Sequence, residues 1–150
     1  MFRMPCQPRK GWQQLANEFG FHFHTMYGEP YWDEQSVYEF TLDEVEDDIE
    51  DPATELHEMC RAAAERIIGS EELMGKLEIP RAHWDLIAES WQRQDPELYG
   101  RFDFVYGGAQ GTGPAKMLEY NADPPTSLFE SASFQGSWLE DMIAAGRLPE

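Results

Sequence analysis

The sequence predicts a mixed α/β domain, helices packed on a small sheet, and three observations carry that prediction. Residues 101–106 (RFDFVY) and 117–123 (MLEYNAD) alternate polar and apolar side chains, the period of a half-buried strand. Between residues 41 and 94 apolar side chains recur instead at helical spacing. Nine Phe, six Tyr and five Trp in 150 residues supply enough apolar surface for a core of ordinary size and too much for a disordered chain. One domain spanning residues 1–150 is expected, since no repeat and no linker divides the chain.

In chain order, GWQQLANEF (11–19) fits a short amphipathic helix stopped by Gly20. Phe21 and Phe23 alternate with His22 and His24, which reads as a brief strand, and Gly28-Glu29-Pro30 as a turn. Val37–Phe40 reads as extended. Thr41 followed by Glu44 is a capping-box pattern, so a helix starts there. Its apolar positions run from Leu42, Val45 and Ile49 through Leu56, Met59, Ala63 and Ile67 to Gly69. Pro52 either kinks this helix or opens a second one at Asp51. The acidic run DEVEDDIED is expected to be a solvated helix face, because it lacks the spacing and central glycine of a calcium loop. A further turn of helix is expected over 71–77, and Pro80 opens the next helix, which carries Trp84, Ile87, Ala88 and Trp91 on one face to about Gln94. After the two strands and their glycine-rich connection GGAQGTGP, a final helix runs from Ser127 to Ala145 with Leu128, Ala132, Trp138, Leu139 and Ile143 inward.

Charge narrows the function. Twenty-nine acidic residues against eleven basic ones give a net charge of −18, a surface that repels nucleic acid and anionic membranes. Cys6 and Cys60 stand far apart, in no metal or redox spacing, as expected of reduced thiols in a cytoplasmic protein. The N-terminal MFRMPCQPRKGW carries no apolar run of signal-peptide length, and no stretch approaches a membrane span, so a soluble protein is expected.

The two strands also hold the candidate chemistry. Alternation puts Arg101 and Asp103 on the face shared by Glu119, Asn121 and Asp123, and puts Phe102, Phe104 and Tyr106 with Leu118 and Tyr120 on the other. Facing residues on paired strands lie about 5 Å apart, so Asp103, Glu119 and Asn121 are placed to share one hard cation or to bracket two. Arg101 could meet a phosphoryl oxygen bidentately. This suggests magnesium-dependent phosphoryl chemistry; the alternative is an exposed polar strand face with ordinary ion pairs. The connection GGAQGTG matches no phosphate-binding fingerprint, because no helix follows it. His22 and His24 lack a third ligand and read as structural or surface residues rather than a zinc site. Ser127 lacks the G-x-S-x-G context of a serine hydrolase.

The segments GFHFHTMYGEPYWDE, ATELHEMC, LYGRFDFVY, MLEYNADPPTSLFE and WLED resemble the glutathionylspermidine synthase-like family, and most closely its short bacterial branch without an amidase domain. The resemblance runs from about Trp12 to Pro149, and R-x-D followed by E-Y-N-A-D is its most specific part. It implies an ATP-grasp ligase, in which ATP phosphorylates a carboxylate such as that of glutathione and an amine such as spermidine attacks the acyl phosphate. By this resemblance Asp103, Glu119 and Asn121 match magnesium ligands, and Arg101 matches the arginine that contacts the transferred phosphoryl group. Members often carry a hydroxyl residue directly after N-A-D; here Pro124 stands there, with Thr126 or Ser127 as the substitute for substrate contact. Members also run to more than twice this length, and their later part supplies lysines that clamp ATP. The chain is therefore expected to be the N-terminal, pre-ATP-grasp part of such a ligase, inactive alone. The alternative is a non-catalytic acidic module that binds a polyamine or a protein partner.

Overall fold

The computed structural model of the chain describes residues 1–108, 110, 111, 113–122 and 126–148. They pack as two compact units, residues 1–40 with 125–150, and residues 41–124. The first unit holds β1 (Phe2–Pro5), α1 (Trp12–Glu18), β2 (Thr25–Met26), β3 (Glu29–Pro30), β4 (Ser36–Glu39) and the last helix, α6 (Gln135–Ala144). The second holds α2 (Leu42–Val45), α3 (Asp51–Ile68), α4 (Glu71–Lys76), α5 (Trp84–Arg93), β5 (Arg101–Val105) and β6 (Lys116–Asn121). The mixture of helices and small sheets agrees with the expected α/β class. Among the described residues the sheet is three separate antiparallel ribbons: β1 with β4, β2 with β3, and β5 with β6.

In the first unit, α1 ends as expected on Gly20, whose φ of 79° is open to glycine and costly for a side chain. That left-handed turn sends Phe21 back toward the helix, where its N–H donates to the carbonyl of Ala16 at 2.7 Å. Residues 21–24 are consequently not a strand. Phe21 is fully buried with Ala16 and Phe134, and Trp12, Leu15, Trp32 and Phe129 pack around them. The rings meet edge-on, Phe21 with Phe134 at 5.1 Å and with Trp32 at 6.0 Å, the arrangement that aromatic quadrupoles favour. The turn expected at 28–30 sits one residue earlier. Tyr27 and Gly28 both have positive φ, 54° and 84°, so they are the central pair of a tight hairpin turn, and Glu29 and Pro30 begin the returning strand. The extended segment at 37–40 is real, but its partner β1 escapes a pattern search because FRMP is only four residues long and ends in a proline.

Arg9 and Glu34 form a buried ion pair in this unit, with Nη2 and Oε1 2.7 Å apart and side chains only 8% and 1% exposed. Trp32 Nε1 and the Arg9 backbone N–H also donate to Glu34, at 3.1 and 3.0 Å. Arg9 reaches Asp141 of α6 at 2.6 Å. Burial by itself would lower the Arg9 pKa; the hydrogen bonds to Glu34 and Asp141 outweigh it and leave the guanidinium above its ordinary value. The final helix differs in phase from the expectation. A π-helical turn, Glu130–Phe134, precedes α6 and inserts an extra residue, so Phe134 and Met142 are the buried positions, while Leu128 and Leu139 are 38% and 45% exposed.

The second unit begins with the capping box read from the sequence. Glu44 N donates to Thr41 Oγ1 at 3.1 Å, and Thr41 N donates to Glu44 Oε2 at 3.0 Å. Replacing Thr41 with alanine is expected to cost about 1 kcal/mol, measured as a shift of the urea midpoint. Beyond the cap the helix runs on to Gly69 through a second π-helical turn, Glu46–Glu50, with Pro52 as the second residue of α3. Of the two readings open for Pro52, α3 opens at Asp51 with Pro52 in its first turn, although the π-helical turn leaves no break in the helical backbone before it. Pro52 has no N–H to offer the carbonyl of Asp48 four residues back. Ala115 N, just before β6, donates to that carbonyl at 2.8 Å. The acidic run is only partly a solvated face. Asp43, Glu46 and Asp47 are exposed, whereas Glu44 is buried, and Tyr106, just after β5, donates its hydroxyl to Asp48 Oδ2 at 2.6 Å with Glu44 Oε1 at 3.2 Å. Those bonds, that to Asp48 foremost, together with burial raise the Tyr106 phenol well above its ordinary pKa, so it stays a donor. Both strands are thus anchored to the 44–48 turn at the end where their connection leaves.

Candidate functional site

The β5–β6 ribbon pairs Arg101 with Asn121, Phe102 with Tyr120 and Asp103 with Glu119. This register puts the four polar side chains on one face and the two rings on the other, as the alternation predicted. One step further the register shifts, and Phe104 faces Met117 instead of Leu118. Leu118 is the extra residue of a bulge and is 69% exposed, so it does not join the apolar face expected of it. On that face Phe102 stacks on Tyr120 with centroids 4.0 Å apart and on Phe104 at 5.4 Å.

On the polar face Arg101 Nε donates to Asp103 Oδ1 at 2.8 Å, with the side chains 33% and 40% exposed. The hydrogen bond from Arg101 holds the Asp103 carboxyl below the usual carboxylate range and raises the guanidinium in return. Asn121 has one amide orientation that satisfies both of its ends. Its nitrogen then donates to Glu119 Oε1 at 3.1 Å, and its oxygen accepts from Arg101 Nη2 at 3.1 Å. The same end of the amide lies 3.4 Å from Asp103 Oδ2. Arg101, Asp103, Glu119 and Asn121 therefore form one connected cluster.

The donor set suits a hard cation. Two carboxylates and an amide oxygen are all oxygen ligands, and adjacent ligands of an octahedral ion at about 2.1 Å stand about 3 Å apart. The Asp103 and Asn121 oxygens, 3.4 Å apart, approach that spacing. The same oxygens now turn toward the guanidinium, so a bound cation would share them with Arg101 or displace it. Among the described residues no group of three or more His, Cys, Asp and Glu side chains is placed to hold a metal. Asp123 and Pro124, which the sequence reading also placed here, lie outside the described residues. Thr126 and Ser127 belong to the other unit; Ser127 has a φ of 69° and its carbonyl accepts from Ser131 Oγ at 2.8 Å. His22 and His24 sit near Asn17 Oδ1 and Thr25 Oγ1, at 3.2 and 3.0 Å, in keeping with structural roles.

The cluster is an open face. A groove of about 930 Å³ in the same unit lies between α3 and α5, lined by Glu58, Arg61, Glu65, Trp91 and Glu97 among others, and it includes none of the four residues. Three residues that support the face were not singled out by the sequence reading. His57 of α3 brings Nδ1 within 2.9 Å of the Tyr120 hydroxyl. Asp48 holds Tyr106 and Ala115. Gly100 leaves room for the Tyr120 ring, since a Cβ there would lie 2.7 Å from Cε2. The last carries a readable signal, a glycine directly before a strand that packs an aromatic; the other two are long-range contacts with no local pattern.

Residues 3–148 match the family described as "Glutathionylspermidine synthase preATP-grasp". The chain is 46% identical over 135 residues to a Haemophilus influenzae protein named "Putative acid--amine ligase", covering 87% of this chain and 32% of that protein. It is 34% identical over 89 residues to the trypanothione synthetase of Crithidia fasciculata, covering 59% of this chain and 13% of that protein. Against the bifunctional glutathionylspermidine synthetase/amidase of Escherichia coli K12 the identity is 24% over 128 residues, 85% of this chain and 18% of that enzyme. The chain thus spans about a third or less of these relatives.

Proposed function

The chain belongs to the glutathionylspermidine synthase pre-ATP-grasp family, and from that premise we propose that it is the N-terminal part of an ATP- and magnesium-dependent ligase joining a carboxylate to an amine. The observation that carries the reading is the cluster of Arg101, Asp103, Glu119 and Asn121 on one face of the β5–β6 ribbon. In the reaction a carboxylate oxygen attacks the γ-phosphorus of ATP and ADP leaves, giving an acyl phosphate. The amine nitrogen then attacks the acyl carbon, phosphate departs, and the nitrogen loses a proton to give the amide. Asp103, Glu119 and Asn121 would hold Mg²⁺. When bound, that ion neutralises phosphate charge. Arg101 offers a guanidinium on the same face, free of any need to gain a proton, for the charge that spreads over the transferred phosphoryl oxygens. Thr126 and Ser127 are proposed as hydroxyl contacts to a peptide-like carboxylate such as that of glutathione, and a polyamine such as spermidine as the acceptor suits the net charge of −18. The remaining ATP-binding groups belong, in this reading, to polypeptide beyond these 150 residues, consistent with the length of the relatives.

A cytoplasmic location is part of the same proposal. Cys6 and Cys60 are both free thiols, and among the described residues no helix is long and apolar enough to cross a membrane.

The test uses the full-length protein with ATP, Mg²⁺, glutathione carrying ¹⁸O in its carboxylates, and spermidine. An acyl phosphate transfers one ¹⁸O to the released inorganic phosphate. Phosphate release that needs neither acid nor amine, or released phosphate without label in a productive reaction, defeats the mechanism. A pH prediction accompanies it. Asp103 is held below its ordinary value by Arg101, so it is fully ionised above the ordinary aspartate range and becomes protonated only as pH falls through its lowered value. The Mg²⁺ dissociation constant, measured without ATP so that the nucleotide's own phosphate titration does not enter, is therefore expected to be the same at pH 6 and pH 8. A strong rise at pH 6 would mean that a different group governs metal binding.

A further inference from the structure

We infer that His57 and Tyr120 form a positioning pair for the polar face, fixing the register that brings Asp103 opposite Glu119 and Arg101 opposite Asn121; the inference rests on the ligase reading above. Tyr120 lies between Glu119 and Asn121 in β6, and its partner Phe102 lies between Arg101 and Asp103 in β5. Side chains alternate along a strand, so the orientation of those two rings dictates where the four polar groups point. The rings stack at 4.0 Å with planes 20° apart. On its far side the Tyr120 hydroxyl meets His57 Nδ1 of α3 at 2.9 Å. Gly100 makes the arrangement possible, since a Cβ there would stand 2.7 Å from Tyr120 Cε2 and 2.9 Å from its hydroxyl.

The pin matters because a two-stranded ribbon is marginal alone, and a bulge next to Asp103 loosens this one further. Tyr106 and Ala115 tie its connection end to the 44–48 turn. The end bearing the polar face is tied by His57 to the middle of an 18-residue helix. Neither His57 nor Tyr120 belongs to the polar face, so each acts by holding other groups. Outer residues of this kind change metal affinity or activity by about 10- to 100-fold in metal sites.

The experiment compares Tyr120→Phe, His57→Leu, their double variant, His57→Asn and Asp103→Asn in the full-length protein. Mn²⁺ binding is followed by electron paramagnetic resonance without substrates, and kcat and the amine KM are measured separately. Tyr120→Phe keeps the stack on Phe102 and loses only the hydroxyl. The expected result is about a tenfold weaker Mn²⁺ affinity and a lower kcat in Tyr120→Phe and in His57→Leu, with the amine KM unchanged. The double variant is expected to be no worse than either single one, and His57→Asn, which keeps a polar group near the place of Nδ1, to recover most of the loss. If His57→Leu fails to fold, Tyr120→Phe and His57→Asn decide the matter. Wild-type Mn²⁺ affinity and kcat in Tyr120→Phe, alongside lost Mn²⁺ binding in Asp103→Asn, would overturn the positioning role and leave the ligase reading standing. Wild-type Mn²⁺ binding and ligation in Asp103→Asn would overturn the ligase site, and the inference with it.

Discussion

Arg101→Ala in the full-length protein is expected to lower kcat for ATP-dependent ligation by about a thousandfold, with little change in the stability of the fold. The two halves of that expectation come from different physics. Arg101 is a third exposed, and its partner Asp103 is more exposed still, so their ion pair is screened by water and contributes little to folding. A guanidinium facing a transferring phosphoryl group acts where charge develops, in a site from which substrate has excluded water, and there its contribution is large. Arg101→Lys is expected to recover only a small part of the rate, because an ammonium cannot present two parallel N–H donors to a phosphoryl oxygen pair. The measurement is steady-state kcat and KM together with a thermal melt of each variant. A residue that merely braces the ribbon would lower the melting midpoint and raise KM for several substrates together. An effect confined to kcat identifies the phosphoryl contact, and Arg101→Ala with full kcat removes Arg101 from the chemistry.

What could be read from the sequence, and what could not, follows the range of the interactions concerned. The polar face was legible because alternation at residues 101–103 and 119–121 is a local property that survives any environment pairing the two strands. The capping box at Thr41 and Glu44 was legible for the same reason: both halves close within four residues. Irregular insertions were not. The bulge that expels Leu118 and the π-helical turn that rotates the final helix each shift a periodic pattern by one residue, and periodicity alone cannot register such a shift. Phe21 and Phe23 alternate like a strand, yet the left-handed turn at Gly20 commits Phe21 to the core before a strand can start. The supports of the site were least visible. His57 meets Tyr120 across 63 residues of sequence and Tyr106 meets Asp48 across 58, and nothing adjacent to either histidine or aspartate marks the partner. Asp48 was hidden further by its setting in an acidic run that otherwise reads as solvated.

Glu34→Ala is expected to be the most destabilising single change in the first unit, at about 3 kcal/mol or more. The Glu34 carboxylate is 1% exposed and accepts hydrogen bonds from the Arg9 backbone, the Arg9 guanidinium and Trp32 Nε1. Removing it strands a guanidinium that is itself only 8% exposed, packed 5.1 Å over the Phe134 ring. What remains for Arg9 is Ser137 Oγ at 3.3 Å and the half-exposed Asp141. The desolvation cost of that charge stays while most of its compensation is lost, which is why breaking a buried pair costs far more than the pair contributes. Asp141→Ala is expected to cost much less, since its carboxylate is 51% exposed and water replaces it. The double variant Arg9→Met with Glu34→Leu is expected to regain much of the lost stability, because apolar side chains of similar volume carry no charge to desolvate. Urea titration read by tryptophan fluorescence measures all three, with Trp32 inside the network as the reporter. Equal losses in Glu34→Ala and Asp141→Ala would show that Glu34 holds no special place, and that the unit rests on its aromatic core of Phe21 and Phe134 alone.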